Sequence, residues 1–139
     1  MGSVEEVDEA AARAQLDTNF FGSLWVTQVV LPCLRAQRSG HIVQISSIGG
    51  LTGFPTMGLY NASKWALEGM SEALAQEVAR FGIGVTLAEP GSYATDWGGL
   101  SMQRAVRWTH TTLCAPNWPR CLWRRTCPTA TRPMSQPRC

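Results

Sequence analysis

The order of elements along this chain predicts an α/β domain, part of a doubly wound parallel sheet. Three observations carry that expectation. Two stretches of helical periodicity, residues 8–38 and 60–81, alternate with two short runs of β-forming residues, 41–46 and 83–88. The links between them are short. The first β run is mostly apolar rather than strictly alternating, as in strands of a buried parallel sheet. Helix, strand, helix and strand joined in this way argue a right-handed βαβ unit with about two strands and two long helices.

Each element has its own grounds. Residues 3–38 read mainly as helix, with Ser3 and Glu6 spaced as a capping box and Asp8 as a second candidate cap. Ala10, Ala11, Ala14 and Leu16 open the periodic pattern, and Phe20, Phe21, Leu24, Trp25, Val29, Val30 and Leu34 widen it. A helix so broadly apolar is expected to be covered on most sides, by a sheet and by a partner subunit. Pro32 should kink or shorten it near its end. Asn19 stands amid its most apolar part, and taken alone reads as a helical amide bonded to nearby backbone. Ser39-Gly40 closes the helix, and Ile42, Val43 and Ile45 mark the first strand. A Gly-rich loop follows, with Gly49, Gly50, Gly53 and Pro55. The clearest helix comes next, with Ala62, Trp65, Ala66, Met70, Ala73, Leu74, Val78 and Phe81 on its apolar side and Gly82 at its end. The second strand is closed by Glu89-Pro90-Gly91.

Residues 41–64 concentrate the chemistry. Ser46 and Ser47 end the first strand, and ligands of open α/β sheets bind beyond the carboxyl ends of strands. A strand-end serine capping a turn is equally common. Tyr60 and Lys64 are four residues apart, so a helix beginning near Tyr60 puts phenol and ammonium on one face. A lysine there favours the phenolate, lowering a pKa of about 10, and a tyrosine so tuned can pass a proton at neutral pH. Lys64 is the sole lysine of the chain.

The conjunction Asn19-Phe20-Phe21-Gly22, Ser46-Ser47-x-Gly49-Gly50, Tyr60-Asn61-Ala62-Ser63-Lys64 and Pro90-Gly91-Ser92-Tyr93-Ala94-Thr95 resembles the short-chain dehydrogenase/reductase family over roughly residues 4–99. These are NAD(P)-dependent oxidoreductases with a Rossmann fold. The resemblance implies carbonyl reduction or alcohol oxidation of a small molecule, with Tyr60 as general acid/base and Ser47 bonded to the reacting oxygen. Lys64 would lower the tyrosine pKa and hold the nicotinamide ribose. Asn19 would bind a water of the proton relay, and Pro90, Gly91 and Thr95 would line the nicotinamide and pyrophosphate. NADP is favoured over NAD because many reductases of the family use it. The family also implies dimers or tetramers formed through the two long helices, here 8–38 and 60–81.

The chain departs from that family at both ends. Its members begin with a strand, a TGxxxGxG turn that holds the adenine half of the cofactor, and an Asn-Asn-Ala-Gly segment, and none of these occurs here. Gly49-Gly50-x-x-Gly53 follows the catalytic strand and has the wrong spacing to replace them. This text therefore reads as the C-terminal part of a Rossmann subunit in residues 1–99, followed by an atypical tail in residues 100–139.

Composition separates the same two segments. Residues 1–99 hold 5 Lys and Arg against 10 Asp and Glu, while residues 100–139 hold 7 Arg and no acid. The tail also has four of the five cysteines, three of the six tryptophans and five of the eight prolines, without periodicity. That composition resembles a high-GC reading frame translated out of register, or a disordered segment. Two other functions compete: a chain with no catalytic activity, and an Arg/Trp-rich tail that binds nucleic acid. The second is disfavoured, since a scrambled tail has the same composition. The cysteines form no CxxC pair and match no zinc spacing, so no metal is expected. With no signal peptide and no apolar run of the ~18 residues a membrane span needs, a reduced cytoplasmic protein is expected.

Overall fold

The computed structural model describes residues 1–91 and 102–106. Thr95 and most of the tail lie outside the described residues. The chain opens with a turn in which the Ser3 amide donates to the Glu6 carboxylate (2.8 Å) and the Glu6 amide donates to the Ser3 carbonyl (2.9 Å). The predicted capping pair is real, but it closes a turn. The helix itself is capped by Asp8, whose carboxylate accepts from the Ala11 amide at 2.7 Å.

Helix α1 (Glu9–Leu16) runs through one π-helical turn, Asp17–Phe21, directly into α2 (Gly22–Gln37). Pro32 does not end the helix, which continues to Gln37. A proline there removes one amide donor. Leu31 and Leu34 beside it are packed against the core, which holds the last turns in place. The irregularity falls instead at the π turn, which contains Asn19. Arg38, in the left-handed conformation, closes α2.

Strand β1 (Gly40–Ile45) pairs in parallel with β2 (Ile83–Ala88), from Gly40 opposite Ile83 to Ile45 opposite Ala88. Between them lie a 3-10 turn at Ile48–Gly50 and helix α3 (Gly58–Val78), extended by a 3-10 turn to Phe81. Gly82 terminates that helix at φ +71°, where a Cβ would stand 2.8 Å from the Arg38 carbonyl oxygen, so both its conformation and its neighbour favour glycine.

The core forms where the two long helices meet one face of the strand pair. Leu74, Val78 and Ile83 are buried, with Leu31, Leu34, Ile42, Phe81 and Val85 around them. Buried Gln44 donates to Thr27 Oγ1 at 2.9 Å, and Thr27 donates to the Ser23 carbonyl at 2.8 Å, tying β1 to α2. The buried stripe of α3 differs from the predicted one. It consists of Asn61, Ser63, Leu67, Ser71, Leu74 and Val78, with Leu67 wholly inaccessible, while Ala62, Trp65 and Ala73 face outward.

β1 also departs from the buried strand expected, because its second face is open. Val43 and Ile45 are 57% and 60% exposed, and no described helix covers them. Much of α2 is likewise uncovered, with Trp25 56% exposed and Val26 and Val29 beside it. Among the described residues no helix is long and apolar enough to cross a membrane.

Candidate functional site

The site is built where β1 ends. The ladder extends past Ile45, with the Ser46 amide donating to the Ala88 carbonyl (2.8 Å) and the Ile48 amide to the Pro90 carbonyl (3.2 Å). Ser47 and the Pro90-Gly91 segment are thereby held side by side at the carboxyl edge of the sheet. Among the described residues, nothing stands within 4 Å of a Cβ placed on Gly91.

Ser47 caps the 3-10 turn, its Oγ accepting from the Gly49 amide at 3.1 Å. A hydroxyl that accepts in this way still has its own proton to donate. Capping and chemistry are therefore compatible at this residue. Gly49 brings α3 close: a Cβ on it would lie 3.0 Å from Tyr60 Cε1 and 2.9 Å from Asn61 Oδ1. A side chain at this position would push the Asn61 amide and the tyrosine ring away from the turn.

Tyr60 lies in the first turn of α3, half-buried, and lines a cavity of about 350 Å³. Val7, Ala11, Met57 and Leu59 supply much of its apolar wall, and Gln103 to Val106 close one side. The Ala105 amide donates to the Met1 carbonyl at 2.7 Å, and the Gly2 amide to the Thr56 carbonyl at 3.0 Å. Thr56 has φ +63°, a left-handed conformation that costs a β-branched residue of order 1–3 kcal/mol. That strain sits on the lip of the cavity, four residues before Tyr60.

Lys64 Nζ donates to the Ile45 carbonyl at 2.8 Å, so the ammonium is drawn to the end of β1, one helical turn from Tyr60. Burial pushes its pKa below the usual lysine value, and the negative charge of Glu68 partly opposes that shift. Asn19 reaches the same place from the other helix. Its Nδ2 donates to Ser63 Oγ at 3.0 Å, and Ser63 donates to the Tyr60 carbonyl at 2.7 Å. The amide is thus bonded across to α3 rather than to nearby backbone.

The structure therefore gathers Ser47, Tyr60 and Lys64 around the end of β1, with Asn19 joined to them through Ser63 and Pro90 beside Ile48. Ser63, Glu68, Gly49 and Thr56 belong to the same neighbourhood and were not predicted. Ser63 and Glu68 had a signal in their helical spacing from Tyr60 and Lys64. The strained Thr56 had none.

Residues 1–104 match the short chain dehydrogenase family. The chain is 50% identical over 101 residues to oxidoreductase BOA17 of Botryotinia fuckeliana, which covers 73% of this chain and 37% of that protein. Among solved structures, a short-chain dehydrogenase from Streptomyces avermitilis superposes with a TM-score of 0.77 at 36% identity, over 88% of this chain and 46% of the other. ElxO, solved with NADP bound, superposes with a TM-score of 0.64 at 33% identity, over 66% of this chain and 37% of the other. The parallel strands and the crossover helix between them are thus part of a Rossmann-type α/β fold. The chain belongs to the short-chain dehydrogenase family, and it spans less than half the length of each of these three proteins.

Proposed function

We propose that this chain carries the catalytic part of an NAD(P)-dependent oxidoreductase that reduces a small-molecule carbonyl or oxidises the corresponding alcohol. What supports this most is that Lys64 bonds the last carbonyl of β1, two residues before Ser47, while the Tyr60 ring packs at Gly49 of the turn that Ser47 caps. The donor set suits the nicotinamide–ribose end of the cofactor. Lys64 has two N–H bonds beyond the one given to Ile45, enough for a pair of ribose hydroxyls. Pro90, Gly91 and Thr95 would lie along the nicotinamide and pyrophosphate. We favour NADP, the form that ElxO holds.

When bound, the nicotinamide supplies or accepts the hydride. The chain's own residues handle the proton and the oxygen. Tyr60 gives its phenolic proton to the carbonyl oxygen in reduction, or takes the proton from the alcohol in oxidation. Ser47 directs its remaining proton at the same oxygen and fixes its position. The Lys64 ammonium stabilises negative charge left on the tyrosine oxygen. Asn19, fixed through Ser63, orders the water through which that proton is replaced. The exposed Trp25, Val26 and Val29 of α2 and Trp65 of α3 support a homo-oligomer formed through the two long helices.

Titration of the full chain with NADPH and with NADH, followed by cofactor fluorescence, tests this reading. Saturable binding is expected, tighter for NADPH, and Lys64→Met should weaken it roughly tenfold or more through lost charged hydrogen bonds. No saturable change with either nucleotide would overturn it. The second reading, a chain without catalytic activity, is favoured by the open face of Val43 and Ile45 and would then stand.

A further inference from the structure

Among the described residues, the buried and unpartnered polar side-chain atoms are Ser46 Oγ, Asn61 Oδ1, Glu68 Oε1 and Ser71 Oγ, and two of them, Ser46 Oγ and Glu68 Oε1, lie together beside Gly50. Ser46 is 3% exposed, and its Oγ has no hydrogen-bond partner. Glu68 Oε1 is buried and also lacks one. A Cβ on Gly50 would stand 2.8 Å from Ser46 Oγ and 2.9 Å from Glu68 Oε1, so the two atoms flank one small space that the glycine leaves open. They are chemically complementary, because a hydroxyl can donate whereas an ionised carboxylate can only accept. A carboxylate oxygen buried without a donor is costly, and Ser46 is the orphaned donor beside it.

Glu68 lies on α3 one turn beyond Lys64, on the face that meets the end of β1. The groups facing Lys64 can be named from each element around it. β1 offers the uncharged Ile45 carbonyl, and α3 contributes Tyr60 one turn before and Glu68 one turn after. Glu68 is the charged side chain that acts on the Lys64 ammonium.

We infer that Glu68 is a positioning residue of the site: its buried carboxylate oxygen and the Ser46 hydroxyl, each unpartnered beside the space left by Gly50, close the short gap to pair with one another, which ties the serine-bearing end of β1 to α3 and keeps a negative charge one turn from Lys64. The role of this pair in catalysis rests on the oxidoreductase reading above, whereas the pairing of Ser46 with Glu68 and its effect on Lys64 need no cofactor. It also gives Gly50 a purpose distinct from that of Gly49. Gly49 admits the tyrosine ring, and Gly50 admits the two polar groups.

The sole lysine makes the link directly measurable. The full chain, grown with 13C-lysine, gives one side-chain signal whose chemical shift against pH reports Lys64 protonation. An anion nearby favours the ammonium, so Glu68→Gln should move the Lys64 midpoint downward. Ser46→Ala should move it the same way, by freeing the carboxylate to turn toward solvent. Adding Ser46→Ala to Glu68→Gln should then have no further effect, because the two act through one link. A midpoint unmoved by Glu68→Gln, or effects of the two substitutions that simply add, would overturn the inference. Where Glu68→Gln does not give a folded amide spectrum, Ser46→Ala alone decides, and an unmoved midpoint refutes it. Failure to bind NADPH with the lysine shifts intact would sink the oxidoreductase reading and leave this link standing.

Discussion

Two hydrogen bonds of the site meet on the hydroxyl of Ser63, which accepts from Asn19 and donates to the Tyr60 carbonyl. Ser63 is completely buried, so neither bond competes with water once formed. Removing the hydroxyl leaves the Asn19 amide without its acceptor in a partly buried place. Ser63→Ala and Asn19→Ala should each cost about 1–3 kcal/mol in urea unfolding, and the double mutant should cost less than their sum by about 1 kcal/mol. Additive effects would mean that the bond does not hold in solution. At this scale the sequence was uneven as a guide. Tyr60 and Lys64 were legible because two reactive groups four residues apart share a helix face. Ser63 sat inside the same motif and was passed over, since a helical serine usually bonds back along its own helix. It does that here too, and accepts from a second helix besides.

Helix α3 shows the limit of periodicity as evidence. Its residues offer more than one apolar stripe, and the expected one contained Trp65 and Ala73, which face outward. The buried stripe joins Leu67, Leu74 and Val78 to the small polar Ser63 and Ser71, both wholly inaccessible. Hydropathy scores discount serines, so the stripe that packs most tightly looked the less apolar. Leu67→Ala should therefore destabilise the fold by about 2–5 kcal/mol, whereas Trp65→Ala should cost the monomer less than about 1 kcal/mol, both measured by thermal or urea unfolding. Equal costs would contradict this packing. Other element boundaries were plain in the text. β2 was legible because β-branched residues follow directly on Gly82, which the left-handed turn needs. The π turn at Asn19 and the left-handed Thr56 were not, because tertiary contacts select them and local preference does not. Pro32 does not end the helix for a related reason: packing of Leu31 and Leu34 outweighs one missing hydrogen bond near a helix end.

Among the described residues, the strand pair is covered on one side only. Val43, Ile45, Ile48 and Leu51 form an exposed apolar margin along the outer face and end of β1. Trp25, Val26 and Val29 form a second such surface on α2. Strand edges and faces left open in this way recruit other chains. The full chain should associate with rising concentration in light scattering, and Val43→Lys combined with Ile45→Glu should shift it toward monomer. A chain that stays monomeric before any substitution would show that these surfaces are covered from within.

The register of the two strands also bears on how the chain acquires its structure in time. Every rung from Gly40–Ile83 to Ile45–Ala88 joins residues about forty positions apart, and the helix that packs on them lies wholly within that interval. Closing so long a loop costs entropy before any rung repays it, so strand pairing is the slow event and α3 the early one. Folding speed should accordingly depend on how much helix α3 holds before the strands meet. The same serine, tyrosine and lysine that mark the site would then be among the last groups to find one another, when the end of β1 docks on a helix already formed.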